Sequence, residues 1–321
     1  MAKNKAFVMG PGDTVAVVAP SGAVRKEALD RGIAQLEGVG YKVKVGRSVL
    51  SRYGYLAGDD LSRAQDFTEA WTDPTVGAVI AARGGYGATR TLRYLDLGVL
   101  GEHVKILLGY SDITALHLAF WREMNLVTFH GPMVETGEEG GLFDPYNLTG
   151  FLGALDGTLG PGPLEMPVGR VLEVIEGGRA EGDLVGGNLS LIAATVGTRW
   201  QLDARGKILF LEDVDEAPYS VDRMLCQLQS SGILEGASGF LLGDFTDCEP
   251  KPTSPSFTVQ EVLLQYFQGC GKPCLAGVPA GHGPSKATLP LGTRVSVDTK
   301  ASSVTLLESG TLPKGHSSDT W

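Results

Sequence analysis

The stretch KILLGYSDITALHLAFWREMNLVTF, residues 105–129, contains the alternation of strand and helix that decides the fold of this chain. Its first residues, Lys105–Leu108, are mostly apolar and predict a buried strand that ends at the turn Gly109-Tyr110-Ser111-Asp112. The run Ile113–Met124 predicts a helix, and Val127–Phe129 predicts the next strand. Strands joined by helices in this way build a parallel sheet with helices on both faces.

The same alternation extends upstream to the N-terminus. Strands are predicted at Thr14–Ala19, Tyr41–Val45 and Val76–Ala81, and amphipathic helices lie between them. We therefore predict an α/β fold that begins with a parallel, doubly wound, flavodoxin-like sheet domain over residues 1–137. Open sheets of this kind place their functional sites in the loops at the carboxyl ends of the strands.

Beyond residue 137 the pattern weakens, and glycine and proline become frequent. We expect a linker over residues 138–185, a C-terminal β-rich α/β domain over 186–308, and a disordered tail over 309–321. Two domains suit a chain of 321 residues, because a domain commonly spans about 100–200 residues.

The composition argues against nucleic acid and membranes as partners. The chain has 27 Lys and Arg against 37 Asp and Glu, a net charge of −10, and no window combines basic with aromatic residues. We expect no secretory signal, because only the short apolar run Ala6-Phe7-Val8-Met9 follows Lys3 and Lys5. No apolar run approaches the roughly 18 residues of a membrane span. The four cysteines form no CxxC pair, so we expect reduced thiols in a cytoplasmic protein.

Ser111 is the candidate nucleophile. A sharp turn between strand and helix would hold its hydroxyl above the sheet edge and aim the N–H of Asp112 at a developing oxyanion, as in a nucleophile elbow. The motif departs from G-x-S-x-G, because Ile113 stands where the second glycine would be. The alternative is that Ser111 only caps the helix, which is a common role of serine.

A nucleophilic serine needs a base, and His282 is the favoured candidate. It lies in the loop Ala280-Gly281-His282-Gly283-Pro284, where rigid backbone would hold an exposed imidazole. His130, at the end of a predicted strand, is the alternative base; it could instead line the pocket or make a structural hydrogen bond. The five histidines of the chain are His103, His117, His130, His282 and His316.

Two acids could orient the base. Glu212 and Asp213 follow the apolar strand residues Leu209-Phe210-Leu211. Side chains alternate between the faces of a strand, so the two carboxylates cannot both aim at one imidazole. Simple polar capping of the strand end is the alternative.

The loop Arg83-Gly84-Gly85-Tyr86-Gly87 lies between a predicted strand and a helix. Its backbone N–H groups could cradle a phosphate or give a second oxyanion donor beside that of Asp112. The loop lacks the P-loop pattern and a clean G-x-G-x-x-G, which makes nucleotide binding a weak prediction.

Together these segments resemble the LD-carboxypeptidase family, the muramoyltetrapeptide carboxypeptidases of the S66 serine peptidases. The resemblance extends from Gly12-Asp13 to Thr288-Leu289-Pro290-Leu291-Gly292. Its most specific motifs are Arg83-Gly84-Gly85-Tyr86-Gly87, Gly109-Tyr110-Ser111-Asp112-Ile113-Thr114, Leu211-Glu212-Asp213-Val214 and Gly281-His282-Gly283.

The resemblance implies a catalytic triad of Ser111, Glu212 and His282 in a groove between the two domains. It implies hydrolysis of the amide between the L-centre of a diamino acid and a terminal D-alanine in cytoplasmic murein tetrapeptides. It also implies a homodimer that needs no metal, and we predict no cofactor. Backbone N–H groups of Asp112, Gly84 and Gly85 would form the oxyanion hole.

Arg83 and Tyr86 are the candidate substrate-binding residues. Arg83 could grip the terminal carboxylate of the peptide with its planar fork, or it could brace the loop by pairing with a nearby acid. Two other functions remain open. One is that of relatives that inactivate microcin C by cutting aminoacyl or peptidyl nucleotide conjugates, although residues 157–179 lack the aromatic side chains of the longer loop in those enzymes. The other is a non-catalytic protein that binds a small ligand.

Overall fold

The computed structural model describes residues 2–135, 144–251 and 255–314. Its strands are β1 (Thr14–Val18), β2 (Lys42–Val45), β3 (Val76–Ala81), β4 (Ile106–Gly109), β5 (Thr128–His130), β6 (Gly162–Pro163), β7 (Glu173–Glu176), β8 (Arg179–Asn188), β9 (Ile208–Val214), β10 (Gly239–Thr246), β11 (Cys274–Ala276), β12 (Leu289–Leu291), β13 (Arg294–Asp298) and β14 (Ser303–Leu306). Its α-helices are α1 (Lys26–Gly38), α2 (Asp60–Thr72), α3 (Ala88–Thr91), α4 (Leu97–Gly101), α5 (Thr114–Met124), α6 (Pro145–Asp156), α7 (Leu189–Thr195), α8 (Pro218–Ser230), α9 (Ile233–Gly236) and α10 (Val259–Phe267). None of these helices has both the length and the apolar character needed to cross a membrane.

The first sheet has the strand order β12-β5-β4-β3-β1-β2. Strands β1 to β5 are parallel, and their order β2-β1-β3-β4-β5 is that of a flavodoxin-like sheet. Both faces are covered: Val15 and Val17 pack in the core that holds α1, whereas Ala16 and Val18 pack in the core that holds α2. The predicted doubly wound parallel sheet is therefore confirmed.

The second sheet has the order β6-β14-β13-β8-β9-β10-β11-β7. Its four central strands, β8 to β11, are parallel, and antiparallel strands flank them on both sides. Helices α7, α8 and α10 pack on one face, and the other face buries Leu184, Ile208 and Phe210. This is the β-rich α/β architecture expected of the C-terminal part.

The predicted linker over residues 138–185 does not fit the structure. Helix α6 packs its Phe151 into the core of the first sheet, while β6, β7 and most of β8 are strands of the second sheet. Strand β6 has no signal of its own in the sequence, because it has only two residues and one is a proline, which cannot donate a backbone hydrogen bond. The predicted boundary at residue 137 lies outside the described residues.

Two further expectations about the C-terminal part are corrected. Strand β12, which falls within the predicted second domain, pairs with β5 at the edge of the first sheet. The tail predicted to be disordered is ordered over residues 309–314, because the backbone of Leu312 bonds to Ala6 and Val8 and the side chain of Thr311 is buried. Residues 315–321 lie outside the described part of the chain.

Candidate active site

Ser111 lies where the central strand β4 of the first sheet ends. Its backbone has a φ of 63°, in the left-handed region that costs a residue with a Cβ about 1–3 kcal/mol. A short 3₁₀ turn, Ser111–Ile113, leads from there into α5, and Ser111 is the first residue of this turn rather than its N-cap, which is Tyr110. The strained turn instead raises the hydroxyl above the sheet edge, as a nucleophile elbow does.

The hydroxyl of Ser111 meets His282. The Oγ atom lies 3.1 Å from His282 Nε2, and His282 Nδ1 lies 2.8 Å from Glu212 Oε2. When Nδ1–H donates to the carboxylate, Nε2 is free of its proton and can accept the Ser111 hydroxyl. The structure thus brings together the three residues, predicted from separated motifs, in one hydrogen-bonded chain.

Glu212 is completely buried, with 0% of its surface exposed. Burial raises the pKa of its carboxyl group, and the hydrogen bond and charge of His282 act in the opposite direction. A carboxylate in such surroundings interacts more strongly with an imidazolium than it would in water, because the local dielectric constant is lower.

Asp213 points to the opposite face of β9. Its carboxylate accepts hydrogen bonds from the Asn188 amide at 2.9 Å, the Ser190 N–H at 3.0 Å and the Ser190 hydroxyl at 2.8 Å. It therefore satisfies the N-terminal end of α7 and has no contact with His282. Strand alternation had predicted that only one of the two acids could face the imidazole.

Two glycines allow the close approaches that build the site. Gly84 lies against the nucleophile: a Cβ on it would stand 2.9 Å from Ser111 Cβ and 3.0 Å from Ser111 Oγ. Gly281 has a φ of 128°, and a Cβ on it would stand 2.8 Å from Glu212 Oε2. Any other residue at either position would displace a member of the hydrogen-bonded chain.

Arg83 already has protein partners. Its Nη1 donates to the Ala23 carbonyl at 3.1 Å, and its Nε lies 3.8 Å from the carboxylate of Glu135, which also accepts from Arg25 at 2.7 Å. This geometry favours the bracing role for Arg83. Tyr86 is 47% exposed and its ring lies 5.8 Å from that of Tyr55.

His130 does not reach the nucleophile. Its ring is 1% exposed and packs 5.0 Å from the Phe210 ring and 5.8 Å from the Tyr110 ring, and neither of its nitrogens has a hydrogen-bond partner among the described residues. Burial lowers the pKa of His130 well below its usual value, so the ring is neutral. These surroundings are those of a core histidine.

Several contacts near His282 had no signal in the sequence. The Tyr110 ring packs against the His282 imidazole with 4.9 Å between ring centroids. Asn147 on α6 supports the histidine loop, since its side chain accepts from Lys286 N–H at 2.5 Å and donates to the Pro284 carbonyl at 3.1 Å. Asn147 is 139 residues before Lys286, so no local pattern could have joined them.

The structure also has a cavity of about 620 Å³ that is lined by residues of α6, by residues 158–165 and by Ala287 and Thr288. None of the three hydrogen-bonded residues lines it, and so we place the chemistry at Ser111 rather than in this cavity. Within the described ranges, no three His, Cys, Asp or Glu side chains cluster as metal ligands would.

Comparisons with known proteins agree over nearly the full length of the chain. Sequence models of the LD-carboxypeptidase N-terminal and C-terminal domains match residues 15–131 and 181–297. A probable murein peptide carboxypeptidase of Bacillus subtilis (strain 168) is 40% identical over 308 residues, which cover 95% of each chain. The crystal structure of muramoyltetrapeptide carboxypeptidase from Oxalobacter formigenes is 34% identical with a TM-score of 0.78, over 94% of this chain and 100% of its own.

A third relative is the microcin C7 self-immunity protein of Escherichia coli, which is 26% identical over 327 residues, covering 92% of this chain and 94% of that protein. The two domain models match in chain order: the first spans β1 to β5 of the first sheet, and the second runs from β8 to β13, of which all strands except β12 belong to the second sheet. The resemblance found in the motifs is thereby confirmed. The chain belongs to the LD-carboxypeptidase family, and is a hydrolase of the serine carboxypeptidase type.

Proposed function

We propose that this protein releases terminal D-alanine from cytoplasmic murein tetrapeptides during peptidoglycan recycling, by cutting the amide that joins it to the L-centre of a diamino acid. The observation that carries the proposal is the hydrogen-bonded chain Ser111–His282–Glu212. Ser111 and His282 lie in loops and Glu212 lies in strand β9, and the arrangement is that of a serine peptidase triad.

In this proposal Ser111 Oγ attacks the scissile carbonyl while His282 Nε2 takes its proton. The resulting oxyanion would be held by the backbone N–H of Asp112 and by those of Gly84 and Gly85. The C–N bond then breaks, the imidazolium gives its proton to the departing amine of D-alanine, and an acyl-enzyme remains. Water, activated by the same histidine, hydrolyses the ester and restores Ser111.

The positions of the three residues support a site in the groove between the domains. Ser111 follows a strand of the first sheet, Glu212 belongs to β9 of the second, and His282 lies in the loop between β11 and β12. A peptide bound over Ser111 would therefore contact both parts of the chain. A homodimer, as the family resemblance implies, is part of the same proposal.

Two observations favour the murein peptide over the other candidates. The segment 157–179 contains no aromatic side chain that could stack on a nucleotide base. In addition, Ser111 is not the N-cap of the turn that leads into α5, and its hydroxyl lies 3.1 Å from His282 Nε2, which argues against a binding protein whose serine serves only the helix. The nucleotide-conjugate activity stays the alternative because of the relationship to the microcin C7 self-immunity protein.

The decisive experiment compares defined substrates. Wild-type protein should release alanine from the murein tetrapeptide but not from the diastereomer that ends in L-alanine, and Ser111→Ala should lower kcat by several orders of magnitude. If Ser111→Ala keeps activity within about tenfold of wild type, Ser111 is not the nucleophile. Faster cleavage of an aminoacyl sulfamoyl adenosine than of the tetrapeptide would instead assign the alternative function.

A further inference from the structure

Asp112 follows the proposed nucleophile directly, and its side chain is completely buried, with 0% exposure. Its Oδ2 atom accepts the Ser21 hydroxyl at 2.6 Å and the Ala88 N–H at 2.7 Å. The other oxygen, Oδ1, is buried and has no hydrogen-bond partner among the described residues. Neither of the two donors belongs to the turn that carries Asp112.

The two donors come from different segments that meet at the site. Ser21 lies in the loop after β1, whereas Ala88 is the first residue of α3 and directly follows the glycine loop 83–87 after β3. The same two loops are joined once more, because the Gly22 N–H donates to the Gly84 carbonyl at 3.0 Å. Asp112 therefore fastens the loops of three neighbouring parallel strands, β1, β3 and β4, at one point.

The arrangement determines where Gly84 lies. The glycine loop is anchored at its far end to the Asp112 carboxyl group, and at its near end Gly84 touches Ser111 so closely that a Cβ has no room. A small shift at Gly87 and Ala88 would thus move the backbone N–H groups of Gly84 and Gly85 relative to Ser111. Hydrogen-bond donors of an oxyanion hole lose their effect when they are displaced by about 1 Å.

A carboxyl group in this position requires compensation. Burial raises the pKa of Asp112, while hydrogen bonds from Ser21 and Ala88 act in the opposite direction. A buried acid is costly unless it is hydrogen-bonded, and a neutral residue would fill the same space at less cost. A role in function would account for its presence.

We propose that Asp112 is a positioning residue, whose carboxyl group holds the glycine loop 83–87 at the distance from Ser111 at which its backbone N–H groups can stabilise the oxyanion. The inference rests on the proposed function, since it takes Ser111 as the nucleophile. It concerns the side chain of Asp112, whereas the oxyanion role concerns its backbone N–H.

The test uses three variants and two reactions of Ser111. Asp112→Asn keeps the size of the side chain and its backbone N–H but offers a neutral, weaker acceptor, and Ser21→Ala removes one donor. Asp66→Asn is the matched control: Asp66 is 7% exposed and accepts the Ser48 N–H and hydroxyl, both at 2.6 Å, between β2 and α2. Tetrapeptide hydrolysis gives kcat and KM per active site, and a fluorophosphonate gives the rate of Ser111 modification.

Asp112→Asn should lower kcat and the modification rate in parallel by about a hundredfold, the size of one lost oxyanion donor, with KM within about threefold of wild type. Ser21→Ala should lower both by about tenfold. Asp66→Asn should lower Tm but leave both rates within about twofold of wild type.

The inference is overturned if Asp112→Asn keeps both rates within about threefold of wild type. It is also overturned if Asp66→Asn, at a similar loss of Tm, lowers the two rates as much as Asp112→Asn does. Should Asp112→Asn not fold, Ser21→Ala decides by the same criterion. Failure of the proposed function is a separate result, because wild-type protein would then release no alanine from the tetrapeptide, whether or not Ser111 reacts with the fluorophosphonate.

Discussion

Replacement of Glu212 by glutamine tests the electrostatic role of the buried acid. Gln has nearly the same size and fits the same space, which is fully enclosed. Its amide oxygen can still accept the His282 Nδ1–H that now lies 2.8 Å from Oε2, but the negative charge is gone. In the other orientation the amide would donate to Nδ1 and favour the tautomer that cannot accept the proton of Ser111.

The expected loss follows from the charge pair formed during the reaction. When His282 takes the proton of Ser111, an imidazolium stands beside the carboxylate with its charge centre about 4 Å away. At an effective dielectric constant of about 20 this pair is worth about 4 kcal/mol. Since about 1.4 kcal/mol changes a rate tenfold, Glu212→Gln should lower kcat by about a thousandfold.

The assay is release of D-alanine from the tetrapeptide, with kcat normalised to folded protein. Asp213→Asn is the matched control, because this neighbouring acid faces α7 and not the imidazole. It should lower Tm and leave kcat within about threefold of wild type. The reasoning is refuted if Glu212→Gln retains more than about a tenth of the wild-type kcat, or if Asp213→Asn causes the larger loss.

Three further predictions concern other parts of the molecule. His282→Ala should lower kcat by several orders of magnitude, whereas His130→Ala should mainly lower Tm, because its ring is buried and makes no hydrogen bond to Ser111. If kinetic assays and thermal melts show the reverse order, His130 rather than His282 is the base. Arg83→Leu should lower activity equally on the free tetrapeptide and on its C-terminal amide, since Arg83 is held by Glu135 and Ala23. If kcat/KM falls by about ten- to a hundredfold for the free tetrapeptide alone, Arg83 binds the substrate carboxylate instead. Burial opposes the ionisation of Glu308, but hydrogen bonds from two lysines outweigh it and hold its pKa at about 2, below the usual 4.5. A lowered pKa gives stability that is present above pH 4.5 and lost as the pH falls towards 2. Glu308→Gln should therefore lower the free energy of unfolding by about 1 kcal/mol at neutral pH, allowing for solvent screening, and the difference from wild type should shrink below pH 4.5; denaturant titrations that agree at pH 7 would contradict this.

The first sheet could be predicted because its signals are local. Strands β1, β3 and β4 are buried on both faces and appear as short apolar runs, and each is followed by a glycine-containing turn and a helix. The different roles of Glu212 and Asp213 could be predicted from local sequence in the same way, since adjacent residues of one strand point their side chains to opposite faces of the sheet.

Features that depend on distant partners could not be predicted. Strand β12 has three residues with a proline in the middle and shows no period of its own; it is defined by its pairing with β5, about half the chain away. The support of Asp112 depends on Ser21, which lies 91 residues earlier. Pairings over such separations leave no pattern within a window of the sequence.

Strand β12 also explains how a histidine of the C-terminal part stays on the nucleophile. The loop that carries His282 leaves the second sheet at β11 and enters the first sheet at β12, so it is fixed to both. Within the first sheet Leu289 pairs with His130, and His130 pairs with Gly109, two residues before Ser111. In the second sheet the Asp244 N–H donates to the Ala280 carbonyl at 3.0 Å, two residues before His282. A movement of one sheet relative to the other would have to deform this loop, residues 277–288, before it separated Nε2 from Oγ. The antiparallel strand at the edge of the first sheet is thus part of what keeps the proposed triad assembled.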